Sequence, residues 1–465
     1  MPALGPPSTP ARHSEEPPAP AITIGKPGGR AVHRPPTGAR VDHGPRIFDY
    51  GRTCIGLAVS LLVGSPATAA GEVRAGVARE AFELPAHVPL AGYSRRKGKP
   101  SASLHDPVDV RALVLEDGET AAALVSCDLL IIDERLFETV RSRLTAQGLP
   151  PQLILVLAAT HTHSGPGAYG AKFLEKISMG HFDPEVFNAL AQTITAAVTH
   201  AYVGRAPVRL AYGVAQTEGL VHNRVEPDGL IDPELIVVGW YRTGEQEPFA
   251  VLVNFAAHPT ALGAWNMEVS ADYPGVVRRQ IERRFPGATC LFFAGAVGDQ
   301  APVKSGDGFG RAESVGLPLA QQAVALIEQA RPETVAALHA RQERLTLPPA
   351  QLRAGRLAFP RWLGKRLVDD DATLPVVEVG TAAFMGVPCD LAASLGASLK
   401  EAARAKRLNP VIIGFASDYI GYCVPEALYE AKKYESSMAF NGPKAGELVV
   451  ERLKQMVDRL PATGQ

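Results

Sequence analysis

The chain has little charge imbalance, few cysteines and no hydrophobic run long enough to cross a bilayer. Its 47 Lys+Arg stand against 48 Asp+Glu, a formal net charge of -1. Such a chain offers no electrostatic reason to hold a phosphate backbone or an anionic membrane as its principal partner, so nucleic acid drops out. No internal repeat or heptad is present, which excludes solenoids and coiled coils. What remains is ordinary for a globular protein: 465 residues, 46% hydrophobic and 20% charged, enough apolar material for a large core.

The composition shifts along the chain. Residues 1–50 are dominated by Pro, Gly, Ala, Arg and His with almost no aliphatic periodicity. They cannot bury enough surface to offset their ordering entropy and read as a disordered leader. Residues 51–70 then follow the layout of a signal peptide: Arg52, an apolar run from Cys54 to Val63, a Gly64-Ser65-Pro66 break and the A-x-A pattern Ala67-Thr68-Ala69. The run is well short of the roughly 20 residues of a membrane-spanning helix. Export is the expectation; a buried strand behind a disordered tail is the alternative. Removal of the leader would leave Cys127, Cys290, Cys389 and Cys423 of the five cysteines, an even number that permits disulfides without requiring them.

From residue 71 onward short β-rich runs alternate with amphipathic helical stretches, which predicts an α/β fold, mixed β-sheets flanked by helices in a single large catalytic domain over 71–465. Strands are expected at 122–126, 153–159, 250–256, 290–296, 376–384 and 410–415, and helices at 133–147, 183–202, 274–284, 311–330, 391–405 and 445–459. The stretch 332–374, with Pro348-Pro349 and Asp369-Asp370-Asp371, reads as irregular or peripheral.

Polar residues interrupt the strand ends. The apolar run 153–159 opens directly into Thr160-His161-Thr162-His163-Ser164-Gly165-Pro166-Gly167, and alternation would point both imidazoles one way if the strand persisted. Another apolar strand ends at His258, a third runs through Gly298 to Asp299, and Met385-Gly386-Val387-Pro388-Cys389 leads to Asp390. A single histidine of this kind is usually a hydrogen-bonded core or surface residue. Two at one strand mouth balance that reading against metal or acid/base work, since neutral imidazole is the commonest metal ligand and a proton shuttle near neutral pH. Four such strand ends suggest one site.

The segment from Thr160 to Gly167 resembles the signature of the neutral/alkaline ceramidase family. So does Tyr419-Ile420-Gly421-Tyr422-Cys423-Val424-Pro425, followed by Tyr429, Tyr434-Glu435 and Asn441-Gly442-Pro443. The resemblance runs from about residue 75 to the end, and the motifs occurring in order are more specific than any one of them. It implies one zinc per chain held by His161, His258, Asp390 and Tyr422. His163 is implied as general acid/base or as a hydrogen-bond partner of the metal-bound water, and Arg224 and Tyr434 as partners of the substrate carbonyl or developing oxyanion. Asp272 and Asp299 would orient metal-bound imidazoles. Taken without the family, Asp272 caps a helix, Asp299 closes a turn, Arg224 is a surface ion-pair residue and Tyr434 a core aromatic. The implied reaction is attack of a zinc-bound hydroxide on the amide of a small-molecule or lipid N-acyl substrate, with peripheral membrane contact for a lipid.

Three departures bear on that expectation. Asp390 stands where the family has a longer glutamate. Ala301, in Gly298-Asp299-Gln300-Ala301-Pro302, replaces a serine, which excludes an acyl-enzyme at that position. The immunoglobulin-like domain expected after the catalytic domain does not follow Leu460. An esterase, lactonase or cyclic-amide hydrolase using the same metal is therefore an alternative, as is a binding protein with a decayed site. Cys389 and Cys423 flank two implied ligands, and three readings are open for them: a disulfide, thiolate ligands, or two buried free thiols.

Overall fold

The computed structural model describes residues 72–461 except 351–352, 355–356, 359–366 and 432, with backbone alone for 353–354 and 357–358. The expected leader and export segment lie outside the described residues.

Eight long strands form the larger sheet: β1 (Arg74–Ala81), β2 (Asp109–Glu116), β3 (Ala121–Cys127), β4 (Ile154–Ala159), β5 (Ala206–Gln216), β6 (Glu234–Arg242), β7 (Ala250–Phe255) and β8 (Thr289–Ala294). Their order is β8-β7-β6-β5-β1-β2-β3-β4, and the short β9 (Glu333–Thr334) pairs with β5. Most pairings are antiparallel, but β4 runs parallel to β3 and β8 parallel to β7. A second sheet has the order β10-β11-β12-β14, from β10 (Leu338–Thr346), β11 (Asp371–Val379), β12 (Ala382–Gly386) and β14 (Asn409–Ile413). Between β12 and β14 lies the two-residue β13 (Asp390–Leu391), which pairs in parallel with β15 (Tyr422–Cys423).

Side-chain alternation assigns the layers. On β2, Val110, Ala112 and Val114 face a core shared with α1 (Glu134–Ala146) and α3 (Pro184–Val203), between which the short α2 (Phe173–Met179) lies in sequence, while Leu113 and Leu115 face Val377, Phe384 and Val411 of the second sheet. On β6, Leu235 and Val237 face α4 (Asp272–Arg284) and α5 (Gly310–Gln329), and Ile236 and Trp240 again face the second sheet. The far face of that sheet is covered by α6 (Ala393–Ala405) and, after the short helices α7 (Glu426–Glu430) and α8 (Tyr434–Met438), by α9 (Ala445–Asp458). The result is helices, sheet, sheet, helices. Strands β2, β3, β4, β6, β7, β8, β11, β12 and β14 are buried on both faces and read as continuous apolar runs, whereas β1, β5 and β10 are partly exposed.

The α/β expectation and all six predicted helices hold, and Asp133 and Asp183 cap α1 and α3 as their position suggests. Two strand expectations need correction. The run 376–384 is a hairpin, β11 and β12 around Gly380 at φ 58, a left-handed turn that glycine adopts without penalty. The stretch 332–374 is not wholly irregular: Leu338–Thr346 forms β10, the edge strand of the second sheet, and pairs along its length with β11, which begins at Asp371. β10 escaped notice because His339, Arg341, Glu343 and Arg344 break its apolar pattern. Among the described residues no helix is long and apolar enough to cross a membrane.

Candidate metal centre

The C-terminal ends of β4, β7, β8, β12 and β14 open on one side of the two sheets. They are bound together there: Asn254 donates to the carbonyls of Phe293 (2.9 Å) and Ile412 (2.8 Å), and Ser417 N–H donates to the Leu157 carbonyl at 2.7 Å.

His161 and His163 do not converge by strand alternation. β4 ends at Ala159, and His161 sits beyond it in the left-handed region at φ 62. A non-glycine residue held there costs of order 1 kcal/mol and persists where surroundings enforce it. Here the enforcing contacts are a 2.6 Å hydrogen bond from His161 Nδ1 to the Leu130 carbonyl and a parallel stack on Phe415, ring centroids 3.7 Å apart. Upstream, Thr160 donates its hydroxyl to Asp128 (3.2 Å), itself held by Arg278 at 2.6 Å.

The turn brings His161 Nε2 to 2.9 Å from His258 Nε2, with His163 Nε2 at 3.2 and 3.1 Å from the two. Burial holds the pKa of His161 down to about 3 and those of His163 and His258 well below the ordinary value, so all three rings are neutral. A carbonyl can only accept, so Nδ1 of His161 carries its proton and leaves the Nε2 lone pair aimed at the cluster; Nδ1 of His258 faces the Val297 carbonyl at 3.4 Å in the same way. His163 differs. Its Nδ1 makes no well-formed hydrogen bond but lies against the backbone of Gly92, which pulls its pKa up against burial; a Cβ on Gly92 would lie 2.6 Å from the ring, which is half-buried on the cleft side.

Asp390, fully buried on β13, completes the group. Its Oδ1 lies 3.6 Å from His161 Nε2 and 3.8 Å from His258 Nδ1 and has no hydrogen-bond partner among the described residues. Burial pushes its pKa up to about 7, against the pull of the Tyr419 hydroxyl, the Arg224 guanidinium and the Tyr422 hydroxyl. Tyr422, beside it on β15, accepts from Arg224 Nη2 at 2.8 Å; the same nitrogen donates to the Gly298 carbonyl, and Arg224 Nε lies 3.3 Å from Glu435. Tyr434 packs edge-on to Tyr422 at 5.9 Å but is 61% exposed, at the cleft mouth rather than in the core.

Asp272 and Asp299 do not orient the imidazoles. Asp272 accepts from the backbone N–H groups of Ala261, Leu262 and Tyr273, shaping the loop after His258 and the start of α4. Asp299 accepts from Ala393 N–H at the head of α6, from Gln300 and from Asn223. Backbone carbonyls do the orienting instead. Ala301 lies opposite His222 on a short strand pair. The cysteines at 127, 290, 389 and 423 are buried free thiols; Cys389 and Cys423 face the apolar core behind the ligand strands. Residues that the sequence reading passed over include Tyr419, Phe415, Gly92 and Asp128.

The donor set suits a metal. The ligand atoms of His161, His163 and His258 all lie within 4.8 Å of one another. Nitrogens around a tetrahedral zinc sit roughly 3.3 Å apart, close to the spacing found, and a buried carboxylate oxygen without a partner is a group that a cation would satisfy. Above the cluster a cleft opens to solvent between Leu130, Ile131, Leu174, Val368, Met438 and Phe440, with Lys172, Glu175 and Asp369 also lining it.

Comparison with known proteins agrees with the geometry. Residues 83–331 match the family described as "Neutral/alkaline non-lysosomal ceramidase, N-terminal", more than half of the chain. The neutral ceramidase of Pseudomonas aeruginosa is 28% identical over 282 residues, 55% of this chain and 42% of that protein; that of Mycobacterium tuberculosis is 27% identical over 223 residues, 43% and 34%. The matched region is thus less than half the length of these relatives. The crystal structure of the P. aeruginosa enzyme superposes with a TM-score of 0.74 over 84% of this chain and 75% of that one at 22% identity, and a ceramidase complexed with C2 gives 0.75 over 84% and 76% at 21%. These structures share the fold. Asp390, Tyr422 and Tyr434 lie past the matched segment and reach the histidines through that fold, and the chain belongs to the neutral/alkaline non-lysosomal ceramidase family.

Proposed function

We propose that this protein hydrolyses the amide bond of an N-acyl compound with one zinc ion held by His161, His258, Asp390 and Tyr422. The observation that carries the reading is the group of three neutral imidazoles, Nε2 to Nε2 at 2.9–3.2 Å, with the unpartnered, buried Oδ1 of Asp390 beside it. Names of the relatives supply the bond type, since those proteins are ceramidases. Zinc supplies Lewis acidity at a carbonyl and lowers the pKa of a bound water toward 7.

The chain's own residues divide the remaining work. His161 and His258, each with Nδ1 facing a backbone carbonyl, have the fixed tautomer of ligands. His163, the least buried of the three rings and facing the cleft, is placed to take a proton from the attacking water at Nε2 and return it to the leaving amine. Arg224 holds the Tyr422 hydroxyl and brings positive charge to the side where an oxyanion develops; Tyr434 offers its hydroxyl from the mouth. Apolar walls with a charged strip at Lys172, Glu175 and Asp369 fit a substrate with an acyl chain and a polar amine portion. The pattern at residues 51–70 supports export, and a lipid substrate would bring the cleft mouth to a membrane surface.

The test is elemental analysis of wild type, His161→Ala and Asp390→Ala beside hydrolysis of a fluorogenic N-acyl amide. One zinc per chain, lost with activity in both variants, is the expected result. Absence of metal from the wild type after zinc reconstitution would defeat the reading. Zinc with ester but no amide hydrolysis would move the chain to the esterase alternative, for which Ala301 in place of a serine leaves room.

A further inference from the structure

Asp390 is one methylene shorter than the glutamate that the family resemblance leads one to expect, and a shorter carboxylate reaches less far and has less freedom to find a metal. Its two oxygens are not equivalent. Oδ2 accepts a hydrogen bond from the Tyr419 hydroxyl at 2.8 Å, while Oδ1 faces His161 and His258 with no partner among the described residues. Tyr419 is itself immobilised. Its ring stacks on Phe415 with centroids 6.2 Å apart and 28° between planes, Phe415 stacks in turn on His161, and the Tyr419 N–H donates to Asp418 at 2.7 Å. Phe415 and Ser417 both hold left-handed backbone, at φ 56 and 66, so the loop that presents Tyr419 is bent to do so.

The terminal torsion of an aspartate is broad and roughly two-fold, so in this buried site the hydrogen bonds that it accepts decide which oxygen faces the cluster. Pinning Oδ2 selects one orientation, and in it Oδ1 points at the imidazole cluster. From this geometry we infer that Tyr419 is a positioning residue: its hydroxyl fixes the Asp390 carboxylate for single-oxygen ligation and thereby sets the metal affinity of the centre. The stack from Tyr419 through Phe415 to His161 ties this carboxylate and the first histidine to one rigid element. The inference rests on the metal reading above and goes beyond it by assigning a role to a residue outside the ligand set.

The experiment compares wild type, Tyr419→Phe, Asp390→Glu and the double variant. Phenylalanine keeps the ring stack and removes the hydroxyl alone. Zinc dissociation constants are measured by competition with a chromogenic chelator, and the thermal midpoint of the zinc-free proteins is recorded as a folding control. Loss of an outer-shell partner of a ligand costs about 10- to 100-fold in metal affinity, and a weakening of that size is expected for Tyr419→Phe at an unchanged metal-free midpoint. In the Asp390→Glu background the same change should cost less, because the longer side chain reaches the ion without that anchor. An unchanged dissociation constant in Tyr419→Phe, or the same loss in both backgrounds, overturns the positioning role while leaving the metal centre standing. A wild type that binds no zinc overturns the metal reading and this role with it.

Discussion

The two sheets deliver their polar groups to the cleft by different routes. The larger sheet does so at the ends of long strands: β4 leads within two residues to His161, and β7 within three to His258. The smaller sheet sends its groups past its strands, through β13 and β15, two residues each, so that Asp390 and Tyr422 stand side by side in register. Behind them the cores also differ. The helix-covered face of the larger sheet holds a buried ionic network, in which Asp109 meets Arg111 at 2.8 Å and Arg278 at 3.6 Å and Arg278 reaches Asp128. The core behind Asp390 is apolar, with Leu391, Leu399, Leu453 and both thiols. Rigid long strands suit ligands that must not move, whereas a short strand pair needs help from neighbours such as Arg224 and Tyr419.

The largest effects should separate the histidines. His258→Ala should lose both zinc and activity, by about 10³-fold or more in kcat/KM, as expected when a ligand is deleted. His163→Ala should keep its zinc yet lose about 10²- to 10⁴-fold in kcat, the range of general acid/base catalysis. Metal content and steady-state kinetics on the same preparations check both. Zinc lost from His163→Ala would make it a third ligand and dissolve the division of roles among the imidazoles.

Next in size is the ionic network. Asp109→Asn would leave Arg111 and Arg278 buried with their charge poorly matched, and breaking such a buried set typically costs about 3–5 kcal/mol. A lower urea midpoint is expected. Because Arg278 also holds Asp128, which holds Thr160 beside His161, zinc affinity should fall as well. An unchanged urea midpoint would mean that the network is no support for the histidine strand.

Legibility in the sequence follows the same contrast. His161 and His258 were visible because long apolar runs announce a strand and a histidine at the end breaks the run. The reason His161 and His163 meet was not visible: strand alternation predicted it, but a left-handed turn after Ala159 accomplishes it. Strands of two residues have no period to read, so Asp390 and Tyr422 came from a family resemblance and not from local pattern. Tyr419 stood in the quoted Tyr-x-x-Tyr segment, yet nothing in that spacing says that one hydroxyl meets Arg224 and the other Asp390. Asp272 and Asp299 were carboxylates near glycine and serine turns, and such residues more often satisfy backbone N–H groups, as both do here.

A smaller effect should come from Arg224→Lys. One guanidinium nitrogen serves the Gly298 carbonyl and the Tyr422 hydroxyl while Nε lies near Glu435, a geometry that an ammonium cannot reproduce. A loss of about 10- to 100-fold in kcat is expected with KM nearly constant, because the contact orients Tyr422 and not the ground-state substrate. A rise in KM alone would make Arg224 a substrate-binding group and weaken the case that β15 needs support.

The smallest effect concerns stability, and it tests whether the second sheet carries a charge that its core does not welcome. Glu378, in β11 opposite His339, is 2% exposed, and burial pushes its pKa up to about 7, with Lys406 pulling the other way. An unfolded glutamate titrates near 4.3, so between roughly pH 4.3 and 7 the folded state holds a proton that the unfolded state has released. Its contribution to stability is therefore full below about pH 4.3 and is lost as pH rises through 7. Glutamine keeps the shape without the charge. Glu378→Gln should match wild type at about pH 4 and exceed it by about 1–3 kcal/mol at pH 8, read as a higher thermal midpoint there. Were the gain equal at both pH values, the proton would not be its source. Were the variant less stable at pH 8, His339, 3.6 Å away, would be stabilising an ionised Glu378, and the second sheet would contain an ion pair of its own, like the larger sheet.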